Sequence, residues 1–173
     1  MIDLHCQAEK HVITVISDVT VIMMTWTMRL TLVAAAITVV AGGCPFRFKA
    51  HGDKCYWVSS AESLYKDAVH ECTRLHNGAT MITIHDAEEN ALLAQEVLAH
   101  RTSWIGLSRA NSSAPWTWVD GSPYDFSLWY MDDADYVGGD CALMNYYDGI
   151  SGLWAGLDCS GKSEYYACQV AAT

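Results

Sequence analysis

The sequence predicts an α+β domain, and three observations carry that prediction. Apolar residues recur at helical spacing in the first part of the chain. After about residue 100 the spacing falls to two, and tryptophans gather there. Six cysteines (Cys44, Cys55, Cys72, Cys141, Cys159 and Cys168) occupy the same region and read as a disulfide framework, hence an oxidising compartment. Spacing alone leaves their pairing open.

The elements follow in order. Ser59 and Ser60 precede Leu64, Ala68, Val69, Cys72 and Leu75 at helical spacing, with Gly78 beyond. Serine caps a helix N-terminus well and glycine stops one, so a first helix is expected. Met81-Ile82-Thr83-Ile84 is a short apolar strand. Asp86-Ala87-Glu88-Glu89 resembles a capping box and opens a second helix through Leu92, Leu93 and Val97, ending near His100. Strands are expected around 104–108, 116–119, 141–146, 153–157 and 164–170. Between Gly121 and Asp140 lies a long stretch with little strand character, and loops of that length inside a compact domain are usually functional or disordered.

The chain of 173 residues has room for one domain, 44–170, and an N-terminal appendage, 1–43. Leu30 to Ala41 carries no charge and is shorter than the ~20 apolar residues that a spanning helix needs. It suits the h-region (30–41) of a signal peptide, with Arg29 as its positive flank and release between Ala41 and Gly43. Met23, Met24 and Met28 stand before it as candidate starts, and the odd cysteine, Cys6, would be lost with the leader. The expected location is therefore secreted or extracellular. The alternative is an uncleaved type II anchor holding a receptor ectodomain at a membrane.

The formal charge of −10 argues against nucleic acid and against anionic membrane as partners. It also disfavours sulfated polysaccharides, unless the few Lys and Arg cluster. No phosphate-binding loop, H-E-x-x-H zinc helix or nucleophile elbow is present, and an enzyme is not expected. Asn111-Ser112-Ser113 is an N-glycosylation sequon in a polar segment between two strands.

Several motifs stand in a telling order. Trp104-Ile105-Gly106-Leu107 is followed by Trp116-Thr117-Trp118-Val119-Asp120-Gly121-Ser122-Pro123 and then Cys141. Trp154 lies five residues before Cys159, and Ala167-Cys168-Gln169 closes the series. In this the chain, from about Cys44 to Val170, resembles a long-form C-type lectin-like domain. The resemblance implies two helices flanking small antiparallel sheets, with 121–140 as the long loop region. It implies pairings Cys72–Cys168, Cys141–Cys159 and the optional Cys44–Cys55. It also implies that Trp104, Trp116, Trp118, Trp129 and Trp154 pack in the core.

In sugar-binding members of that family, one calcium sits in the long loop and sugar hydroxyls complete its shell. Calcium takes about six to eight oxygens, several from carboxylates. Here the triplet expected to supply them is Asp133-Ala134-Asp135, the acid position before Cys141 is Gly139, and the Asn-Asp pair after the strand tryptophan is Ala155-Gly156. Ala155, Gly156 and Gly139 offer no side-chain oxygen. The family's cis proline is replaced by Ala134, for which a cis bond would cost about 2.5–4 kcal/mol, so a trans peptide and a rebuilt turn are expected. The usual calcium site is thus altered. The acid cluster Asp132, Asp133, Asp135 and Asp140, with Asp125 nearby, leaves a displaced calcium open as the alternative. The candidate ligand-binding residues are Asp133, Asp135, Tyr136, Asp140 and Tyr147, for a glycan or protein ligand, since exposed tyrosines suit both protein interfaces and stacking on sugar rings.

Overall fold

The computed structural model describes residues 43–147 and 151–173. The apolar run 30–41, the candidate start methionines and Cys6 lie outside the described residues. Among the described residues, no helix is long and apolar enough to cross a membrane.

The architecture is α+β. Strands β1 (Lys49–His51) and β2 (Lys54–Val58) form a hairpin, followed by helix α1 (Tyr65–Leu75) and β3 (Thr80–Met81). Helix α2 (Ala87–Leu92) runs into a π turn, Leu93–Val97. Then come β4 (Ser103–Ser108), β5 (Thr117–Trp118), a short 3₁₀ turn (Tyr130–Asp132), β6 (Cys141–Met144), β7 (Trp154–Leu157) and β8 (Tyr165–Ala171). The strand order is β1-β2-β8-β4-β6-β7, with β3 also paired to β8 and β5 to β4. All these pairs are antiparallel except β4 with β8, which joins the early hairpin side to the later strands.

Period-two alternation divides the core into two clusters, as a pleated strand requires. On β4 and β6, Trp104, Cys141 and Leu143 point to the side that carries α1, where they meet Tyr65, Ala68 and Cys72. Ile105, Leu107, Ala142 and Met144 point to the other side, toward Leu93 and Leu98 and the tryptophans Trp118, Trp129 and Trp154. Disulfides join Cys44 to Cys55, Cys72 to Cys168 and Cys141 to Cys159. The second anchors α1 to β8, and the third ties the return of the long loop to the segment after β7.

Three details depart from the sequence reading. Helix α1 starts at Tyr65, with Leu64 at the cap position and no side-chain cap, beyond the two serines expected to cap it. Ser59 is buried and its hydroxyl accepts the Tyr166 N–H at 3.1 Å, while Ser63 bridges to Glu164. The expected strand 81–84 forms only over Thr80–Met81, and Ile82 then turns its backbone to both Ala167 and Gly106. Strand β6 stops at Met144 because Asn145 adopts φ 60°. That conformation lets Asn145 Oδ1 accept the Gly152 N–H at 2.7 Å.

The cap of α2 forms, with Asp86 Oδ1 accepting the Glu89 N–H at 2.7 Å. Glu89 does not reach back to Asp86. It accepts from the His85 N–H at 3.0 Å and from Tyr56 Oη at 3.2 Å, and it pairs with Lys54, fastening α2 to the hairpin. Asn90, one residue on, sits buried beneath the loop that follows β6. Its Oδ1 accepts Trp154 Nε1–H at 2.8 Å and its amide donates to the Gly152 carbonyl at 3.1 Å.

Candidate functional site

The long loop, 121–140, is fastened to the core at its middle. Leu128 accepts the Trp154 N–H at 2.9 Å, and Trp129 bridges to Trp154. Trp129 Nε1–H donates to Tyr124 Oη at 2.7 Å, and its ring lies 4.8 Å from Trp116 and 5.6 Å from Trp154. Trp104, Trp118, Trp129 and Trp154 are buried in the core. Trp116 is half-buried against this core, and a cation covers its outer face.

That cation is Arg109, which sequence reasoning did not single out. It follows β4 directly, and its backbone N–H donates to the Asp140 carbonyl at 2.9 Å, so the end of β4 and the returning loop lie side by side. Its guanidinium donates from Nε to Asp140 Oδ1 at 2.8 Å, from Nη2 to Asp135 Oδ1 and to the Gly139 carbonyl at 3.1 Å, and from Nη1 to the Ser112 carbonyl at 3.4 Å. The face of the guanidinium covers Trp116 at 4.7 Å. Its side chain is 5% exposed. The hydrogen bond to Asp135 outweighs the opposing effect of burial and, with Asp140, raises the Arg109 pKa above its ordinary value. A planar fork of donors matches two carboxylates better than a lysine would. The visible signal was the charge imbalance itself: clustered acids need a counter-ion, and Arg109 is the cation next to the strand that borders them.

The candidate residues therefore separate. Asp135 and Asp140 are brought together by Arg109. Asp133 instead closes a local turn, accepting the Asp135 N–H at 2.8 Å. Asp132 is exposed and follows Met131, both with left-handed backbone, φ 54° and 57°. Asp125 pairs with His85 Nδ1 at 2.8 Å, and this bond holds its carboxyl below the usual range. All described peptide bonds are trans, that of Ala134 included.

The two glycines at family ligand positions lack oxygen and also lack space. A Cβ on Gly156 would stand 2.9 Å from the Ala134 carbonyl oxygen and 3.0 Å from that of Gly139. A Cβ on Gly139 would come within 2.1 Å of the Leu157 carbonyl carbon. The loop has closed against β7 where ligand side chains would stand. As arranged, these residues do not form a calcium donor set, and among the described residues no group of three or more His, Cys, Asp or Glu could hold a metal ion. Gly139→Glu, which puts the acid back, is accordingly expected to gain no calcium-dependent rise in melting temperature. It should lose about 1–2 kcal/mol from overpacking, read by urea denaturation.

Beside Arg109 and its two carboxylates lies an aromatic surface, which begins at Tyr136 next to Asp135. Tyr130 stacks on Tyr147 with ring centres 3.8 Å apart, and Tyr136 and Tyr146 meet this pair edge-on at 5.2 and 5.0 Å. Tyr136 is 56% exposed and Met131, on the same loop, is 67% exposed. Tyr147 is half-buried, and its hydroxyl has no partner among the described residues. Burial, then the neighbouring Tyr136 and Tyr130, raise its pKa, so the phenol stays neutral at physiological pH. Asn111 is exposed, as a sequon asparagine must be to carry a glycan.

Comparison with known proteins gives a consistent result. The family model for the lectin C-type domain matches residues 61–170. Lectin BRA-3 of Megabalanus rosa is 31% identical over 144 residues, covering 82% of this chain and 87% of that protein. The CD209 antigen of Symphalangus syndactylus is 31% identical over 134 residues, covering 75% of this chain but only 33% of that longer protein. Among solved structures, the C-type carbohydrate-recognition domain of cow CD23, determined in the presence of a GlcNAc2Man3 oligosaccharide, superposes with a TM-score of 0.65 at 27% identity. It covers 76% of this chain and 98% of its own.

Proposed function

The chain belongs to the lectin C-type domain family, and from that premise we propose that it is a non-catalytic extracellular recognition protein that binds carbohydrate through its long loop without calcium. The observation that carries this reading is Arg109. Its guanidinium supplies, within the chain, the positive charge that the Asp135 and Asp140 carboxylates require. A calcium held by those two carboxylates would have to displace it.

The exposed ring of Tyr136, backed by the Tyr130–Tyr147 stack, offers an apolar face for a sugar ring, and the neighbouring carboxylates of Asp132 and Asp133 can accept sugar hydroxyls. That the cow CD23 domain was solved with an oligosaccharide supports a glycan over a protein ligand. The same surface suits a protein partner if no glycan binds. Secretion rests on the N-terminal run, and N-terminal sequencing of the mature product distinguishes it from a type II anchor.

The test is a glycan screen of the purified protein, run with calcium and again with chelator. Equal binding in both is expected, and Tyr136→Ala should weaken it roughly fivefold, the equivalent of about 1 kcal/mol of stacking. Binding abolished by chelator would instead favour a rebuilt calcium site on Asp132 and Asp133, whose carboxylates make no ion pair among the described residues.

A further inference from the structure

The described residues contain eight lysines and arginines, Arg47, Lys49, Lys54, Lys66, Arg74, Arg101, Arg109 and Lys162. Four of these are ion-paired: Lys54 with Glu89, Arg74 with Glu71, Arg109 with Asp135 and Asp140, and Lys162 with Glu164. Arg47, Lys49, Lys66 and Arg101 have no carboxylate partner among the described residues. Three of those four line a single groove of about 540 Å³ between the β1–β2 hairpin and the π turn, together with His51 and Trp57 and against one carboxylate, Glu96. The groove thus carries a local excess of positive charge in a chain of net charge −10. The three cations repel each other and concentrate the local field for an anion.

The groove is also held in shape. Arg47 has φ 77°, a backbone conformation unfavourable for arginine by roughly 1 kcal/mol or more. It is kept there by the Pro45–Phe48 turn, whose Phe48 N–H donates to the Pro45 carbonyl at 3.0 Å, and by the Cys44–Cys55 bond that closes the hairpin base. Its guanidinium lies over Trp57 at 5.8 Å, and that of Arg101 lies over Tyr165 at 4.9 Å. Both forks are thereby oriented before any ligand arrives, which reduces the entropy lost on binding.

We propose that this groove is a second ligand site, separate from the long loop, for an oligosaccharide carrying sulfate groups. Guanidinium forks take sulfate oxygens in pairs, Lys49 adds a point charge, and Trp57 gives apolar surface to a sugar ring. A peptide of acidic side chains offers the charge without the ring and is the less favoured occupant. No residue of the groove belongs to the long loop, so this site stands or falls independently of the calcium-free glycan reading above.

The experiment is titration of a heparin-derived hexasaccharide into the full chain at about 0.15 M salt, where only close charge contacts survive screening. Saturable binding is expected, unaffected by chelator and by Tyr136→Ala, and absent with the desulfated hexasaccharide. Arg47→Ala with Arg101→Ala should weaken it by at least roughly tenfold. Lys66→Ala, the unpaired cation outside the groove, should leave it unchanged, and its melting temperature and that of the double variant should match the parent. No binding by the parent would overturn the proposal. So would an equal loss from Lys66→Ala, or tighter binding of a poly-glutamate peptide than of the sulfated sugar.

Discussion

Arg109→Ala is expected to lower stability by about 2–3 kcal/mol, seen as a melting temperature reduced by roughly 10 °C. Breaking a fully buried pair costs more than this. Asp135 and Asp140 are respectively 60% and 38% exposed, however, so water solvates them once the cation is gone and the loss is discounted. The remainder has three physical sources. The Gly139 and Ser112 carbonyls lose donors, Trp116 loses its cover, and two carboxylates left close together repel. The same variant carries a second, more diagnostic expectation. With the internal cation removed, Asp135 and Asp140 become free to hold an external one. Millimolar calcium should then raise the melting temperature of Arg109→Ala while leaving the parent unchanged. A calcium response of equal size in both proteins would mean that Arg109 does not occupy the role assigned to it.

Cys72→Ala combined with Cys168→Ala is expected to have the largest effect, a loss of about 4–5 kcal/mol by chain-entropy arithmetic. The bond spans 96 residues and joins α1 to the β8 strand to which β2, β3 and β4 all pair. Both sulfurs are fully buried, so the vacated space adds a packing loss. Urea denaturation of the oxidised double variant measures it. A loss below about 2 kcal/mol would mean that the unfolded chain keeps α1 near β8 without the bond. Cys44→Ala with Cys55→Ala removes a bond that spans only 11 residues and should cost less.

Much of the fold was legible because it rests on local patterns. The alternation in WIGL and in Cys141–Met144 fixed which side chains face which half of the core, and Asp86 announced the start of α2. The exceptions arise where a distant partner overrides a local preference. Ser59 is a good cap, but an unpaired Tyr166 N–H claims its hydroxyl. Residues 141–146 read as a strand, but Asn145 turns left-handed to satisfy Gly152. The candidate site was legible in what it lacks. The missing oxygens at Gly139, Ala155 and Gly156 could be counted from the sequence. That those glycines also allow the loop to close on β7 could not be, since it depends on the path of Leu157 and Ala134 in space. Nor could the fate of the acids. Four aspartates within nine residues look alike as letters, and only the position of Arg109 at the end of β4 divides them into paired and free.

The fastening of the long loop has a use beyond recognition. One attachment falls at Leu128–Trp129, through Trp154, and the other at Asp135–Asp140, through Arg109. The stretch between them, Tyr130 to Ala134, contributes no fully buried side chain and contains two left-handed residues, Met131 and Asp132. Tyr130, stacked on Tyr147, and Ala134, packed against the core, hold its two ends, and Met131 to Asp133 are exposed between them. Substitutions confined to Met131, Asp132 and Asp133 therefore change the exposed surface of the loop without removing a core contact, which makes these three positions the place to vary specificity on this scaffold.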